Sequence, residues 1–133
     1  MEDTIFTKIV KGEIPCYKIA ENDKFFAFLD ISPIAEGHTL VITKLQNDYI
    51  FDLPDDMLGE MMIFAKKVAV GIKKAFPCNR VGVAVIGIDV PHNHIHLVPI
   101  NGVGDLDFKK ERVQLTPEQF QDIARRISSE VVL

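Results

Sequence analysis

Cysteine is scarce in this chain. Cys16 and Cys78 stand far apart and form no CxxC pair, so neither a disulfide framework nor a cysteine-rich zinc site is expected, and both are read as buried or half-buried thiols. No stretch approaches the ~20 unbroken apolar residues that a membrane-spanning helix needs. The opening MEDTIF is acidic where a signal peptide would be basic and then apolar, so a soluble, cytoplasmic protein without a membrane partner is expected. Basic stripes are missing as well: the formal net charge is -4 and the lysines come in scattered pairs, Lys66-Lys67, Lys73-Lys74 and Lys109-Lys110, which argues against polymeric nucleic acid as a partner. There is no internal repeat, low-complexity tract or linker.

What is present fits one domain spanning residues 1–133, with 47% hydrophobic residues to build its core. KFFAFLD (24 to 30) and HTLVITK (38 to 44) read as two strands, joined by the Pro- and Gly-bearing ISPIAEG. From Pro54 the apolar residues Leu58, Met61, Met62, Ala65, Val68, Ala69, Ile72 and Phe76 recur at helical spacing until Pro77 closes the segment. VGVAVIG (81 to 87) and HNHIHLVPI (92 to 100) read as two further strands. Thr116-Pro117-Glu118-Gln119 then carries the cap, first-turn proline and reciprocal Gln of a helix start, and Phe120, Ile123, Ala124, Ile127 and Val131 supply that helix with an apolar face. The order predicts an α+β fold, an antiparallel sheet with one long central helix and a C-terminal helix.

Three of the four histidines, His92, His94 and His96, fall at alternate positions within HNHIH. On a strand they share one face, with Asn93, Ile95 and Leu97 on the other. Same-face neighbours lie ~6.6 Å apart, so the outer two Cα atoms are ~13 Å apart and one metal ion cannot bind all three comfortably. Three readings remain: a two-histidine metal site completed by His38 or Asp89, solvent-exposed histidines on an edge strand, or nucleophilic and acid/base chemistry. The last suits imidazole, whose unperturbed pKa of ~6.5 leaves it a nucleophile near neutrality.

HNHIHLV resembles the His-x-His-x-His signature of the histidine-triad family. EGHTLVITK (36 to 44) is similar to that family's other recurrent segment, and FTKIVKGEIPCYKI (6 to 19) and FAFLDISPIAEGH (26 to 38) resemble the opening of its nucleotide-binding branch, so the similarity spans most of residues 5 to 100. The resemblance implies a homodimer that binds purine nucleotides and cleaves at the α-phosphorus through a nucleotidyl-histidine intermediate, with no metal and no cofactor. It makes His94 the nucleophile, brings His96 to the phosphate, and places His92 and His38 in a network behind them. Asp30 would accept hydrogen bonds from the ribose hydroxyls, although a turn-initiating Asp before Ser-Pro reads almost as well. Ile5, Phe6, Ile9, Ile14, Phe28 and Ile31 would enclose the base, and the same residues read equally as plain core.

Four departures bear on this. RVGVAVIGIDVPH has no Asn, Gln or Ser between Val81 and Pro91, where relatives hold phosphate with polar side chains. Asp89 stands there instead, so backbone N–H groups of residues 87 to 90 are the remaining donors. Asn93 replaces a usual hydrophobic residue, which predicts a less buried face. Thr4 and Thr7 occupy the places of two zinc-binding cysteines, which predicts no zinc by that route, and from Asn101 onward a helix replaces the tryptophan-bearing tail of some members. The leading expectation is a phosphoramidase-like hydrolase or transferase. A dinucleoside polyphosphate hydrolase and a non-catalytic nucleotide-binding module are the alternatives, and a metal-dependent hydrolase is the outsider.

Overall fold

The apolar runs FFAFL and TLVIT form β2 (Phe25–Leu29) and β3 (Thr39–Thr43), paired antiparallel from Phe25↔Thr43 to Leu29↔Thr39. Every position in both strands is buried. They lack polar alternation because both faces of the sheet are covered at its centre. The computed structural model describes residues 2–133. With β1 (Lys18–Glu21), β4 (Arg80–Ala84) and β5 (His94–Ile100) these strands form one antiparallel sheet in the order β1-β2-β3-β5-β4.

Phe25, Ala27 and Leu29, together with Val41, Ile95 and Leu97, pack against α2 (Asp55–Ala75) and α3 (Pro117–Ser128) through Met61, Phe64, Val68, Ile72, Phe120 and Ile127. Each of these side chains larger than Ala27 contributes on the order of 1.5–3 kcal/mol by leaving water. The other face carries Phe26, Phe28, Leu40 and Ile42, covered by Phe6 and Ile9 of α1 (Ile5–Val10). A six-residue helix cannot roof a five-stranded sheet. The part of that face it leaves open is where β5 brings its histidines, since Ile42 pairs with His94 and Leu40 with His96.

The two long helices follow their sequence signals. In α2, Asp55 and Asp56 occupy the first turn and Lys73 and Lys74 the last, which complements the helix dipole. Phe76 adopts extended geometry ahead of Pro77. In α3 the capping box forms as expected: Thr116 Oγ1 accepts from the Gln119 N–H at 3.2 Å, and Gln119 Oε1 accepts from the Thr116 N–H at 2.8 Å.

Other expectations are corrected. α1 and β1 are not foreseen as elements, because runs of six and four residues show no usable periodicity. β4 ends at Ala84 rather than residue 87, and Gly87, at φ 69°, turns the chain away from the sheet. β5 begins at His94 rather than His92. Before it, His92 Nε2 donates to the Thr43 carbonyl at 2.7 Å and the Asn93 N–H to the Asn47 carbonyl at 2.6 Å, which replaces ladder pairing. Asn93 does not mark an exposed face: it is 1% exposed, and its Nδ2 donates to Thr43 Oγ1 and the Asn47 carbonyl. The edge-strand reading of the histidines also fails, because β5 lies inside the sheet, between β3 and β4.

Helix α2 passes so close to the chain after α3 that a Cβ on Gly71 would lie 2.6 Å from Val131 Cγ2 and 3.2 Å from the Val131 backbone. Gly71→Ala should gain about 0.5–1 kcal/mol in helix propensity but lose about 1–3 kcal/mol to overpacking, so the clash wins. A thermal melt followed by circular dichroism should show a lower Tm, and an unchanged or higher Tm would contradict this packing.

Candidate active site

The four histidines converge on the α1 side of the sheet, and all are buried, with His94 at 7% and His96 at 8% exposure the most open. His38 stands at the start of β3, and its Nε2 lies 3.0 Å from His96 Nδ1. The His94 and His96 rings meet edge to face, 4.9 Å between centroids. Phe6 packs its ring 5.7 Å from His92 and 5.1 Å from His94. The short helix α1 thus holds two of the imidazoles in place.

Hydrogen-bond direction fixes each tautomer, because a neutral imidazole has one donor and one acceptor nitrogen. The Ile34 N–H donates to His38 Nδ1 at 3.1 Å, so His38 carries its proton on Nε2 and donates to His96 Nδ1. His96 therefore carries its own proton on Nε2. A carbonyl can only accept, so the 2.7 Å contact between His94 Nδ1 and the His92 oxygen puts the His94 proton on Nδ1 and leaves Nε2 with a free lone pair. His92 donates from Nε2 to Thr43 and accepts on Nδ1 from the Thr4 hydroxyl at 2.7 Å.

Thr4 has a second task as the N-cap of α1, where its Oγ1 accepts from the Thr7 N–H. Gln46 Oε1 receives both the Thr4 N–H and the Thr7 hydroxyl. Sequence reading weighs Thr4 and Thr7 only as poor zinc ligands, and their place behind His92 has no local signature.

Burial keeps this network uncharged. Desolvation, and after it the neighbouring His96, Arg112 and His94 charges, push His38 down to about 3. Desolvation followed by His94 and Arg112 takes His96 to about 4, and desolvation also lowers His92. Asp30 moves the opposite way: burial raises its carboxyl, while the Ser32 N–H, donating to its Oδ1 at 2.8 Å, works against the rise.

A cavity of ≈ 590 Å³ opens in front of His94 and His96, within the usual range for a small-molecule site. Its walls include every cavity residue expected from sequence: Ile5, Phe6, Ile9, Ile14, Phe28, Asp30, Ile31 and Asp89. His92 and His38 lie behind it. Ile5 is 47% and Ile31 73% exposed, so these two are not core residues, whereas Phe6, Ile9 and Phe28 serve the core and the wall together. Asp89 sits exposed, with no hydrogen bond or ion pair among the described residues. Phe108 and Arg112 also line the cavity, and sequence reading misses both because they lie beyond the recognisable motifs.

Asp30, His38 and His96 each present one candidate ligand atom within 4.8 Å of the others, so a metal would be held there and not by Asp89. An ion at that point would have to break the 3.0 Å bond between His38 and His96 that orients His96. The residues are arranged for a hydrogen-bonded relay.

A family model described as HIT domain matches residues 11–102. The chain belongs to the HIT family. An uncharacterized HIT-like protein of Borreliella burgdorferi is 31% identical, with 98% of this chain and 100% of that one covered. An adenosine 5'-monophosphoramidase of Schizosaccharomyces pombe is 35% identical over 96% of this chain and 97% of its own. The crystal structure of a Hit-like protein from Bartonella henselae matches with a TM-score of 0.83 at 28% identity, with 97% of each chain covered. The HIT family thus includes hydrolases of this kind, and none of the helices described here is long and apolar enough to cross a membrane.

The depressed histidines make stability depend on pH. Below about 6.5 the unfolded chain binds protons on these imidazoles, while the folded chain refuses them on His96 until about 4 and on His38 until about 3. The unfolded state then holds more protons, so stability is full above pH 6.5 and falls as pH drops from there towards 4. Melts across this range should show a declining Tm. Histidine NMR should show two imidazoles that do not titrate between pH 8 and 5, and ordinary titration of His38 and His96 would refute the buried relay.

Proposed function

We propose that this HIT protein hydrolyses purine nucleotides at the α-phosphorus, taking nucleoside phosphoramidates as substrates and passing through a nucleotidyl intermediate on His94. The observation that carries the reading is the 2.7 Å bond from His94 Nδ1 to the His92 carbonyl, which leaves Nε2 as the ring nitrogen without a protein partner at the wall of the cavity. The similarity to the S. pombe phosphoramidase extends over nearly the whole of both chains and supports the same class of substrate.

The His94 Nε2 lone pair attacks phosphorus and forms a P–N bond as the bond to the leaving amine breaks. The amine departs with the electron pair and takes a proton from water. A second water then attacks phosphorus, the electron pair of the P–N bond returns to Nε2, and the water's proton passes to solvent. The products are the amine and the nucleoside monophosphate. Splitting the displacement in this way replaces one difficult step by two easier ones. His96 donates a hydrogen bond from Nε2 throughout; with its pKa near 4 it is not a store of ionisable protons at neutral pH.

Asp30 would hold the ribose hydroxyls, and Ile5, Phe6, Ile9, Ile14, Phe28 and Ile31 the base. For the phosphoryl oxygens the donors are backbone groups. The N–H groups of Gly87, Ile88, Asp89 and Val90 bond to nothing within the described chain, and these four residues line the cavity, so their amides are the donors available to cradle an anion. Asp89 would act through its N–H, with its carboxylate directed to solvent.

His94→Ala should abolish turnover of adenosine 5'-phosphoramidate while calorimetry still detects adenosine monophosphate. Wild-type turnover should persist in a chelator. Undiminished turnover by the variant would remove the nucleophile, and binding without turnover by the wild type would favour a non-catalytic module.

The reading extends to a homodimer. Strand β4 is an uncapped sheet edge with Val83 50% exposed, and Met62, Ile63 and Val70 leave apolar surface on α2. Edge pairing of two β4 strands would join two sheets and cover open backbone donors and acceptors. Analytical ultracentrifugation should give twice the chain mass at micromolar concentration, with Val83→Pro shifting it to the monomer; a wild-type monomer would overturn the assembly.

A further inference from the structure

Beyond β5 the chain leaves the part matched by the family and returns across the site. Residues 101–115 are tied to the β2–β3 connection: the Val113 N–H donates to the Pro33 carbonyl at 2.8 Å, and Arg112 Nη1 donates to the Ser32 carbonyl at 3.1 Å. Arg112 Nη2 donates to the Phe108 carbonyl at 3.0 Å. The Phe108 ring lies edge-on to His96, 4.7 Å between centroids, and the Arg112 guanidinium carbon is 5.9 Å from that ring.

Arg112 is half-buried and has no carboxylate partner among the described residues. It is also the one Lys or Arg among the described residues lining the cavity, whose other permanently ionisable walls are Asp30 and Asp89. The Asp30 carboxyl feels the Arg112 charge without forming an ion pair with it, so the partial withdrawal of this guanidinium from water is only weakly compensated. Its two bonds to carbonyls orient it and leave further N–H groups unused, in the planar fork that fits a phosphate or sulfate.

We propose that Phe108 and Arg112 form an anion subsite that selects nucleotides carrying a second phosphate or sulfate beside the reacting one. This rests on the nucleotide site proposed above and widens its substrates beyond phosphoramidates to nucleotides with a second anionic group. The contact of Phe108 with His96 favours an anion on the leaving group, attached at the α-phosphorus. The bond from Arg112 to Ser32, two residues from Asp30, leaves a phosphate on the ribose as the other source of the same chemistry.

Calorimetry separates these sources with three probes: adenosine monophosphate, adenosine diphosphate and adenosine 3',5'-bisphosphate. The wild type should bind one of the doubly charged nucleotides at least about tenfold more tightly than the monophosphate, as a charge-assisted bidentate contact warrants. Arg112→Gln should erase that difference, and Arg112→Lys should retain part of it. Preference for the diphosphate places the anion on the leaving-group side, and preference for the bisphosphate places it on the ribose.

Equal wild-type affinities would overturn the subsite, as would an Arg112→Gln variant that loses all three nucleotides by the same factor, since that marks a clamp for the 101–115 segment. Failure of the wild type to bind even the monophosphate would instead overturn the nucleotide site itself. Thermal melts of the variants accompany each titration, so that unfolding is not read as lost affinity.

Discussion

Four imidazoles are withdrawn from water in this protein, and burial holds His38, His92 and His96 below the ordinary histidine range. His38 and His92 use both ring nitrogens in hydrogen bonds, and His94 and His96 one each. That constraint orders the rest of the site. The Ile34 amide fixes His38, His38 fixes His96, and the His92 carbonyl fixes His94, so the protonation of every ring follows from a backbone group at the end of a chain of contacts. No ring is free to exchange tautomers alone, because flipping one would set two donors or two acceptors against each other inside a medium that penalises unmatched polar atoms. The result is a bare nitrogen on His94 and an N–H on His96, side by side.

The sheet supplies the rigidity that such a relay needs. β3 and β5 lie at its interior, paired from Thr39↔Leu97 to Ile42↔His94, and residues alternate between a face filled by α2 and α3 and a face that α1 covers only in part. His38 enters at the head of β3, and His94 and His96 project from β5. A one-residue slip in this pairing would send the histidines into the helix-packed core and bring Ile95 and Leu97 to the cavity. The apolar packing of Ile95 and Leu97 against α2 and α3 thus sets the register of the polar face as firmly as the hydrogen bonds do.

Much of this was legible in the sequence where a residue's role follows from local spacing. Alternation put His94 and His96 on one face, helical periodicity delimited α2 to within a residue at each end, and Thr116 with Gln119 marked α3. His92 joined the same face although it precedes the strand, because its ring nitrogen reaches Thr43 from outside the ladder. Roles that depend on chain crossings were not legible. Thr4 and Thr7 act on a histidine some 85 or more positions away, and Asn93 looked like a sign of exposure because its partners Thr43 and Asn47 come from a different strand and loop. Phe108 and Arg112 lay in a polar, glycine-bearing stretch with no periodicity, and only the return of that stretch over β2–β3 gives them a place.

The cavity's electrostatics follow from the same economy of charge. Its ionisable walls hold two carboxylates against one guanidinium, in a chain of net charge -4, so a nucleotide cannot be drawn in by a basic surface. In the proposed function attraction would come from groups close to the phosphate: the Arg112 guanidinium, the amides of residues 87–90 that pair with nothing among the described residues, and the N–H of a His96 that burial keeps neutral. Neutrality matters here in a second way. A protonated His38 or His96 would bind phosphate more strongly in the ground state, but it would also break the relay that directs the His96 proton towards the cavity. Desolvation of these two rings therefore exchanges affinity for orientation, and orientation is what the nucleophile proposed at His94 would require.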